Sequence, residues 1–189
     1  MSEFLYSIDV KLFYFINHSL ANPVFDKFFV FITDVSHWYI AWLILLGILF
    51  FQGGKAGKFA AIGALILIAV SDQFSSSFLK NLIARQRPCN VLDDVRLLVS
   101  CGGTYSMPSS HALNNFAIAV FFSKLYPKYR NILLSVAFLV AFSRPYIGVH
   151  YPSDMLAGMI LGSALGYLFA LLLLKIENYL LNSSHKSQK

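Results

Sequence analysis

The chain has 189 residues, 57% of them hydrophobic, 16% aromatic and only 13% charged, with a formal net charge of +6. Soluble domains carry about 25% charged residues, so the composition excludes an ordinary soluble domain and describes one integral membrane domain. The cations sit at the edges of apolar runs, which suits phospholipid headgroups and an anionic substrate better than nucleic acid.

The N-terminal segment lacks a basic start followed by an apolar block, so no cleavable signal peptide is expected. Leu5, Ile8, Leu12, Phe15 and Ile16 form one helical stripe, and Val24, Phe28, Phe31 and Val35 form another. Asp9, Lys11, Asp26, Lys27 and Asp34 interrupt them, and Asn22-Pro23 marks a turn between. Two amphipathic helices lying on the membrane surface are expected over residues 1–35; a sixth, polar-interrupted span is the alternative. Five spans follow at 36–52, 59–79, 111–126, 132–147 and 155–174, near the roughly 17–25 residues that a bilayer requires. Trp38, Tyr39 and Trp42 read as an interfacial aromatic anchor. Gly158, Gly162 and Gly166 recur every four residues and predict a smooth face for close helix contact.

The expected fold is therefore an all-α polytopic membrane helix bundle of about five transmembrane helices with an amphipathic N-terminal segment. Its divisions are interfacial helices over 1–35, a transmembrane domain over 36–181 and a polar tail over 182–189. Cations divide almost evenly between the two sides. Setting aside Lys80, Arg87 and Arg144 as site residues, the remainder favour a cytoplasmic C-terminus.

Three polar clusters break the apolar pattern, all at span ends on one side. In the first, residues 80–88, Lys80 and Arg87 are seven apart, which on one helix places them on a shared face and suggests a shared anion. A solvated basic helix end is the plain alternative, with Arg85 as an example. The second, residues 106–111, reads as a helix start with Ser106 or Met107 at the cap, putting Ser109, Ser110 and His111 in the first turn, where free N–H groups favour a phosphate. In the third, residues 143–154, Pro152 starts a helix and places Asp154 in its first turn, four residues after His150. A carboxylate on one imidazole nitrogen fixes the tautomer and leaves the other nitrogen as a base or nucleophile. Arg144 supplies a planar fork for two phosphate oxygens. Asp72, Ser76 and Lys80 share a face, and Asp72 is expected to be structural. His18, His37 and His185 show no partner pattern.

The spacings Lys-x6-Arg-Pro, Pro-Ser-x-His and Ser-Arg-x5-His-x3-Asp, in that order from Lys80 to Asp154, resemble the three-part signature of the type-2 phosphatidic acid phosphatase family. That family covers lipid phosphate phosphatases and related acid phosphatases and haloperoxidases. Ser110 stands where the family usually has glycine; the position mainly supplies a backbone N–H, so a changed pocket wall is expected. The resemblance implies that Lys80, Arg87, Ser109, the Ser110 amide and Arg144 bind the phosphoryl group. It implies that His150, oriented by Asp154, attacks phosphorus, and that His111 protonates the leaving group and then helps to activate water. No metal or other cofactor is implied, and the chain offers no further ligand cluster.

Cys89 and Cys101 bracket the loop between the first two motifs. Two cysteines cannot complete a structural zinc site, which leaves a disulfide or free thiols. A bridge is expected if the site faces an oxidising compartment. The expected activity is removal of a terminal phosphate from a membrane lipid at the extracytoplasmic surface of a bacterial inner membrane. Candidate substrates are lipid A 1-phosphate, undecaprenyl pyrophosphate, phosphatidylglycerol phosphate and phosphatidic acid; the expected partners are that lipid and the bilayer, without nucleic acid. The rival readings are a phosphotransferase sharing the phosphohistidine, and an anionic-lipid transporter.

Overall fold

The computed structural model describes residues 3–186, with side chains as far as Leu180. Helix α1 (Glu3–Tyr14) ends in a π-helical turn (Phe15–Ser19), and α2 (Pro23–Thr33) follows. Asn22 caps α2, its side-chain oxygen accepting from the Val24 and Phe25 N–H groups at 3.1 and 2.9 Å, with Pro23 in the first turn where no N–H is missed. A 3-10 turn (Val35–Trp38) leads into α3 (Tyr39–Gln52), and α4 (Gly54–Ile83) starts after Gly53. The short α5 (Pro88–Val91), then α6 (Ser110–Leu125), α7 (Arg130–Tyr146) and α8 (Pro152–Lys186) complete the order. The helical backbone of α8 thus runs through Lys186, into the segment expected as a tail, whose side chains lie outside those described.

The five expected spans correspond to α3, α4, α6, α7 and α8. Three stretches, Val35–Gln52, Gly54–Ile83 and Pro152–Leu180, are long and apolar enough to cross a bilayer. Helices α6 and α7, at 16 and 17 residues, sit at the short limit and pack within the bundle. Helix α6 is the axis, contacting α4, α7 and α8. Small residues bring the backbones together: Ala60 and Ala64 of α4 meet Ala117 and Phe121 of α6 and Ala170 of α8 in one buried cluster. Along the α6–α8 seam, a Cβ at Gly158 would lie 2.6 Å from the Ser109 carbonyl oxygen. One at Gly162 or Gly166 would lie closer still to the carbonyl oxygens of Leu113 and Ala117. The rising numbers on both helices show that they run parallel, each glycine one turn further along than the last.

The N-terminal helices are amphipathic in an inverted sense. The apolar stripe of α1 points outward, Leu5, Leu12 and Phe15 being about half exposed, while Asp9, Phe13 and Asn17 are buried against the bundle. Asn17 donates to the carbonyls of Arg96 and Tyr146 at 2.9 and 2.8 Å and accepts from the Arg96 N–H at 2.9 Å. In α2, Val24, Phe28 and Phe31 face outward while Phe29, Ile32 and Thr33 face in. Asp26 accepts from Arg96 and from the Tyr146 hydroxyl, both at 2.7 Å.

Gly162→Leu is expected to destabilise the folded protein by more than about 2 kcal/mol, because the seam has no room to absorb it. Gly47→Ala, where nothing lies within 4 Å of the added carbon, is expected to leave the thermal midpoint in detergent unchanged or slightly raised.

Candidate active site

Four helix ends meet at one end of the bundle: the C-termini of α4 and α7 and the N-termini of α6 and α8. The Ser109 N–H donates to the Asp154 carbonyl at 3.0 Å, joining the starts of α6 and α8. Ser106 N–H donates to the Arg85 carbonyl at 2.7 Å, and Gln86 pairs with Tyr105 in an isolated antiparallel bridge. All three polar clusters are thereby brought together.

Their local structure differs from expectation in two places. Lys80 and Arg87 do not share a helix face. Helix α4 ends at Ile83, Ala84 turns the chain in a left-handed conformation (φ 51°), and Arg87 is extended. The physical reason is Pro88, whose ring disfavours helical backbone at the residue before it. Arg87 reaches the site from the loop side. Its Nη1 donates to His150 Nε2 and to the Val149 carbonyl, both at 3.1 Å, and its Nε donates to the Gly103 carbonyl at 2.5 Å.

The cap of α6 is Ser109 rather than Ser106 or Met107. The Met107–Pro108 peptide is cis, Pro108 precedes the cap, and Ser106 is engaged with the carbonyls of Arg85 and Gln86. Ser109 Oγ accepts from the Ala112 N–H at 3.4 Å, while Ser110 turns its hydroxyl toward Ser75 Oγ at 2.8 Å. The Ser110 side chain thus packs against α4, and its N–H belongs to the free first turn of α6.

His150 is 1% exposed and Asp154 wholly buried. Asp154 Oδ2 accepts from the Tyr151 N–H at 2.8 Å and lies 3.5 Å from His150 Nδ1, within ion-pair range but without hydrogen-bond alignment, so Nδ1 makes no hydrogen bond. Arg87 donating to Nε2 makes that nitrogen the acceptor and assigns the neutral ring's proton to Nδ1, facing Asp154. Arg144 is buried. Its Nη1 donates to Thr33 Oγ1 at 2.6 Å and its Nε has no partner. Lys80 and His111 lie within electrostatic reach of Arg144, and His111 also of His150.

Three cations therefore crowd one imidazole. His150 is pushed well below the usual imidazole range, chiefly by burial and then by Arg144, Arg87 and Lys80. The Asp154 carboxylate among them is shared with Arg85, whose Nη1 lies 2.8 Å from Oδ1. Arg85, expected as a solvated helix end, is instead enclosed between Asp154 and Asp9, whose Oδ2 lies 2.6 Å from its Nη2. Sequence reasoning missed Arg85, Asp9 and Thr33 as neighbours of the site. The available signal was an acid interrupting an apolar stripe; Thr33 had none. Asp72 accepts from Asn114 Nδ2 at 2.9 Å, a bond within the bundle.

Cys89 and Cys101 are joined in a disulfide with Cα atoms 6.2 Å apart. It closes the loop that leads directly to Gly103, the carbonyl that holds Arg87. Beside His111 opens a cavity of about 820 Å³, walled mainly by apolar groups such as Trp42, Leu46, Ile68 and Ile118, with Asn115 as a polar element. A second cavity of about 630 Å³ shares Trp38, Trp42 and Ile118 with it. Both lie along α3, which has no buried residue, so Trp38 and Trp42 line a chamber rather than only anchoring an interface.

Comparison with known proteins places these features in context. The family model described as PAP2 superfamily matches residues 60–177. A lipid A 4'-phosphatase of Bacteroides thetaiotaomicron is 34% identical over 177 residues, covering 89% of this chain and 78% of the relative. An undecaprenyl-diphosphatase of Sulfolobus acidocaldarius is 32% identical over 163 residues, 85% of this chain and 76% of the relative. The crystal structure of Aquifex aeolicus LpxE superposes with a TM-score of 0.66 at 28% identity, covering 89% of this chain and 95% of that one.

His150 is expected to remain neutral at pH values well below about 6.5, the ordinary imidazole midpoint. Replacing Arg87 by Ala removes one of the depressing cations, so the His150 midpoint should move to higher pH. NMR titration of histidine-labelled protein checks this, and a midpoint that stays put or falls would contradict it.

Proposed function

The chain belongs to the PAP2 superfamily, and on that premise we propose that this membrane lipid phosphatase removes the terminal phosphate of a bacterial envelope lipid through a phosphohistidine. The observation that carries the reading is the convergence of Lys80, Arg87 and Arg144 on a buried imidazole, with the Asp154 carboxylate beside it shared with Arg85. Such a site has an unbalanced positive charge that a phosphoryl group would compensate.

In the proposed reaction the phosphate enters among Lys80, Arg87, Arg144, the Ser109 hydroxyl and the Ser110 N–H. Arg144 Nε, buried and unpaired, gains an acceptor. Arg87 transfers its Nη1 bond from His150 Nε2 to a phosphoryl oxygen, freeing the Nε2 lone pair. Nε2 attacks phosphorus, and the P–N bond forms as the bond to the leaving oxygen breaks. His111, protonated once the phosphate balances the cations around it, gives that oxygen its proton, while the Nδ1 proton stays between His150 and Asp154. Water then attacks the phosphohistidine, surrenders a proton to His111, and inorganic phosphate departs as the P–N bond breaks. No step requires a metal.

The likeness to the lipid A 4'-phosphatase supports a lipid A phosphate as substrate, with acyl chains in the apolar chamber beside His111. The likeness to the undecaprenyl-diphosphatase supports a second reading, a prenyl pyrophosphate. The disulfide at the site supports an extracytoplasmic, oxidising side of the inner membrane, with residues 1–35 lying in the interface and 36–181 spanning.

Detergent-solubilised protein is expected to release inorganic phosphate from one of these lipids in the presence of chelator. His150→Ala should lower kcat by at least about a thousandfold. Undiminished release by the variant, or abolition by chelator, would count against the mechanism. Headgroup binding without release would favour the transporter reading, and release dependent on an acceptor lipid the phosphotransferase.

A further inference from the structure

Arg85 falls at an unspecified position of the first motif, yet its guanidinium is fixed on every side. Nη1 donates to Asp154 Oδ1 at 2.8 Å and to Ser153 Oγ at 2.7 Å, and Nη2 donates to Asp9 Oδ2 at 2.6 Å. Asp9 Oδ1 accepts from the Ser153 N–H at 2.9 Å, and Ser153 Oγ also donates to Asp9 Oδ2. The Tyr151 ring lies 3.8 Å from the guanidinium carbon, and Tyr151 in turn meets the Tyr6 hydroxyl of α1 at 3.3 Å. The side chains are enclosed: 13% exposed for Arg85, 5% for Asp9 and 0% for Asp154.

This arrangement divides the Asp154 carboxylate. Oδ1 belongs to Arg85, while Oδ2 receives the Tyr151 N–H and faces His150 Nδ1. Rotating the carboxylate toward any other partner would break a charge-assisted bond in a wholly buried place. Asp9 takes the other arm of the guanidinium, so Arg85 sits beside three other cations with two carboxylates against its single charge. We propose that Arg85, seated by Asp9 of the N-terminal helix, is a positioning residue that aims Asp154 at His150, so that α1 completes the active site. This rests on His150 being the nucleophile. A planar fork bonding to two carboxylates and a hydroxyl cannot be reproduced by the single ammonium of lysine.

The test uses the full chain in detergent and the lipid phosphate that the wild type cleaves. Arg85→Gln, Arg85→Lys and Asp9→Asn are made in the native sequence and combined with Asp154→Asn, with thermal midpoints recorded alongside kcat and KM. Arg85→Gln should lower kcat by about 10- to 100-fold, by analogy with the loss of a hydrogen-bond partner that orients a metal-ligating side chain, with KM within about threefold of wild type. Arg85→Lys should recover part of the loss, and Asp9→Asn should lower kcat less than Arg85→Gln. Once Asp154 is Asn, adding Arg85→Gln should cost less than about threefold, because residues acting through one another are not additive. Effects that multiply in the double variant, or wild-type kcat in Arg85→Gln beside an inactive His150→Ala, would overturn the proposal. If Arg85→Gln does not fold, Asp9→Asn with Asp154→Asn carries the same comparison. Turnover retained by His150→Ala would instead overturn the nucleophile reading, independently of any Arg85 variant.

Discussion

Lys80, Arg87 and Arg144 bring three positive charges to one end of an apolar bundle, and the N-termini of α6 and α8 add the positive ends of two helix dipoles there. Burying like charges together costs free energy unless an anion joins them. Among the described residues the buried carboxylates are Asp9 and Asp154, and both pair with Arg85. What remains is a cationic pocket around a neutral imidazole. On the proposed mechanism a phosphoryl group meets that charge requirement, and the imidazole lone pair attacks its phosphorus.

Packing and chemistry are linked through the α6–α8 seam. The glycines at 158, 162 and 166 let two parallel helices touch backbone to backbone, which a bilayer, offering no hydrophobic drive between helices, rewards through close contact. The same register sets the Ser109 N–H on the Asp154 carbonyl. A side chain anywhere along that stripe would push the first turn of α6 away from Asp154. Structural glycines some distance along the helix therefore act on the geometry of the site.

Much of this was legible because it depends on local pattern. The helices at the expected spans followed from apolar length, three of them long and apolar enough to cross a bilayer, Asp154 in a helix first turn from Pro152, and the small-residue seam from glycines every four positions. What was not legible depends on where the chain turns in space. Seven-residue spacing suggested one face for Lys80 and Arg87, but the steric effect of Pro88 on the preceding backbone and the turn at Ala84 carried Arg87 round to the loop side. Ser109 took the α6 cap because Ser106 was drawn to carbonyls twenty residues earlier. The N-terminal stripes gave the right helices with an incomplete purpose. In a membrane protein the outward face is the apolar one, and the interrupting Asp9, together with Asn17, is what docks. Arg85 looked like a solvated cation because both partners lie about 70 residues away along the chain.

The most direct test of the account is rapid-quench trapping of the enzyme during cleavage of a lipid carrying isotopically labelled terminal phosphate, followed by mapping of the labelled peptide by mass spectrometry. The account predicts an acid-labile, base-stable phosphoryl group on His150, with both its formation and its loss slowed when His111 is replaced, because His111 protonates the leaving group and then activates water. Label absent from the protein during active turnover, or found on another residue, would contradict it.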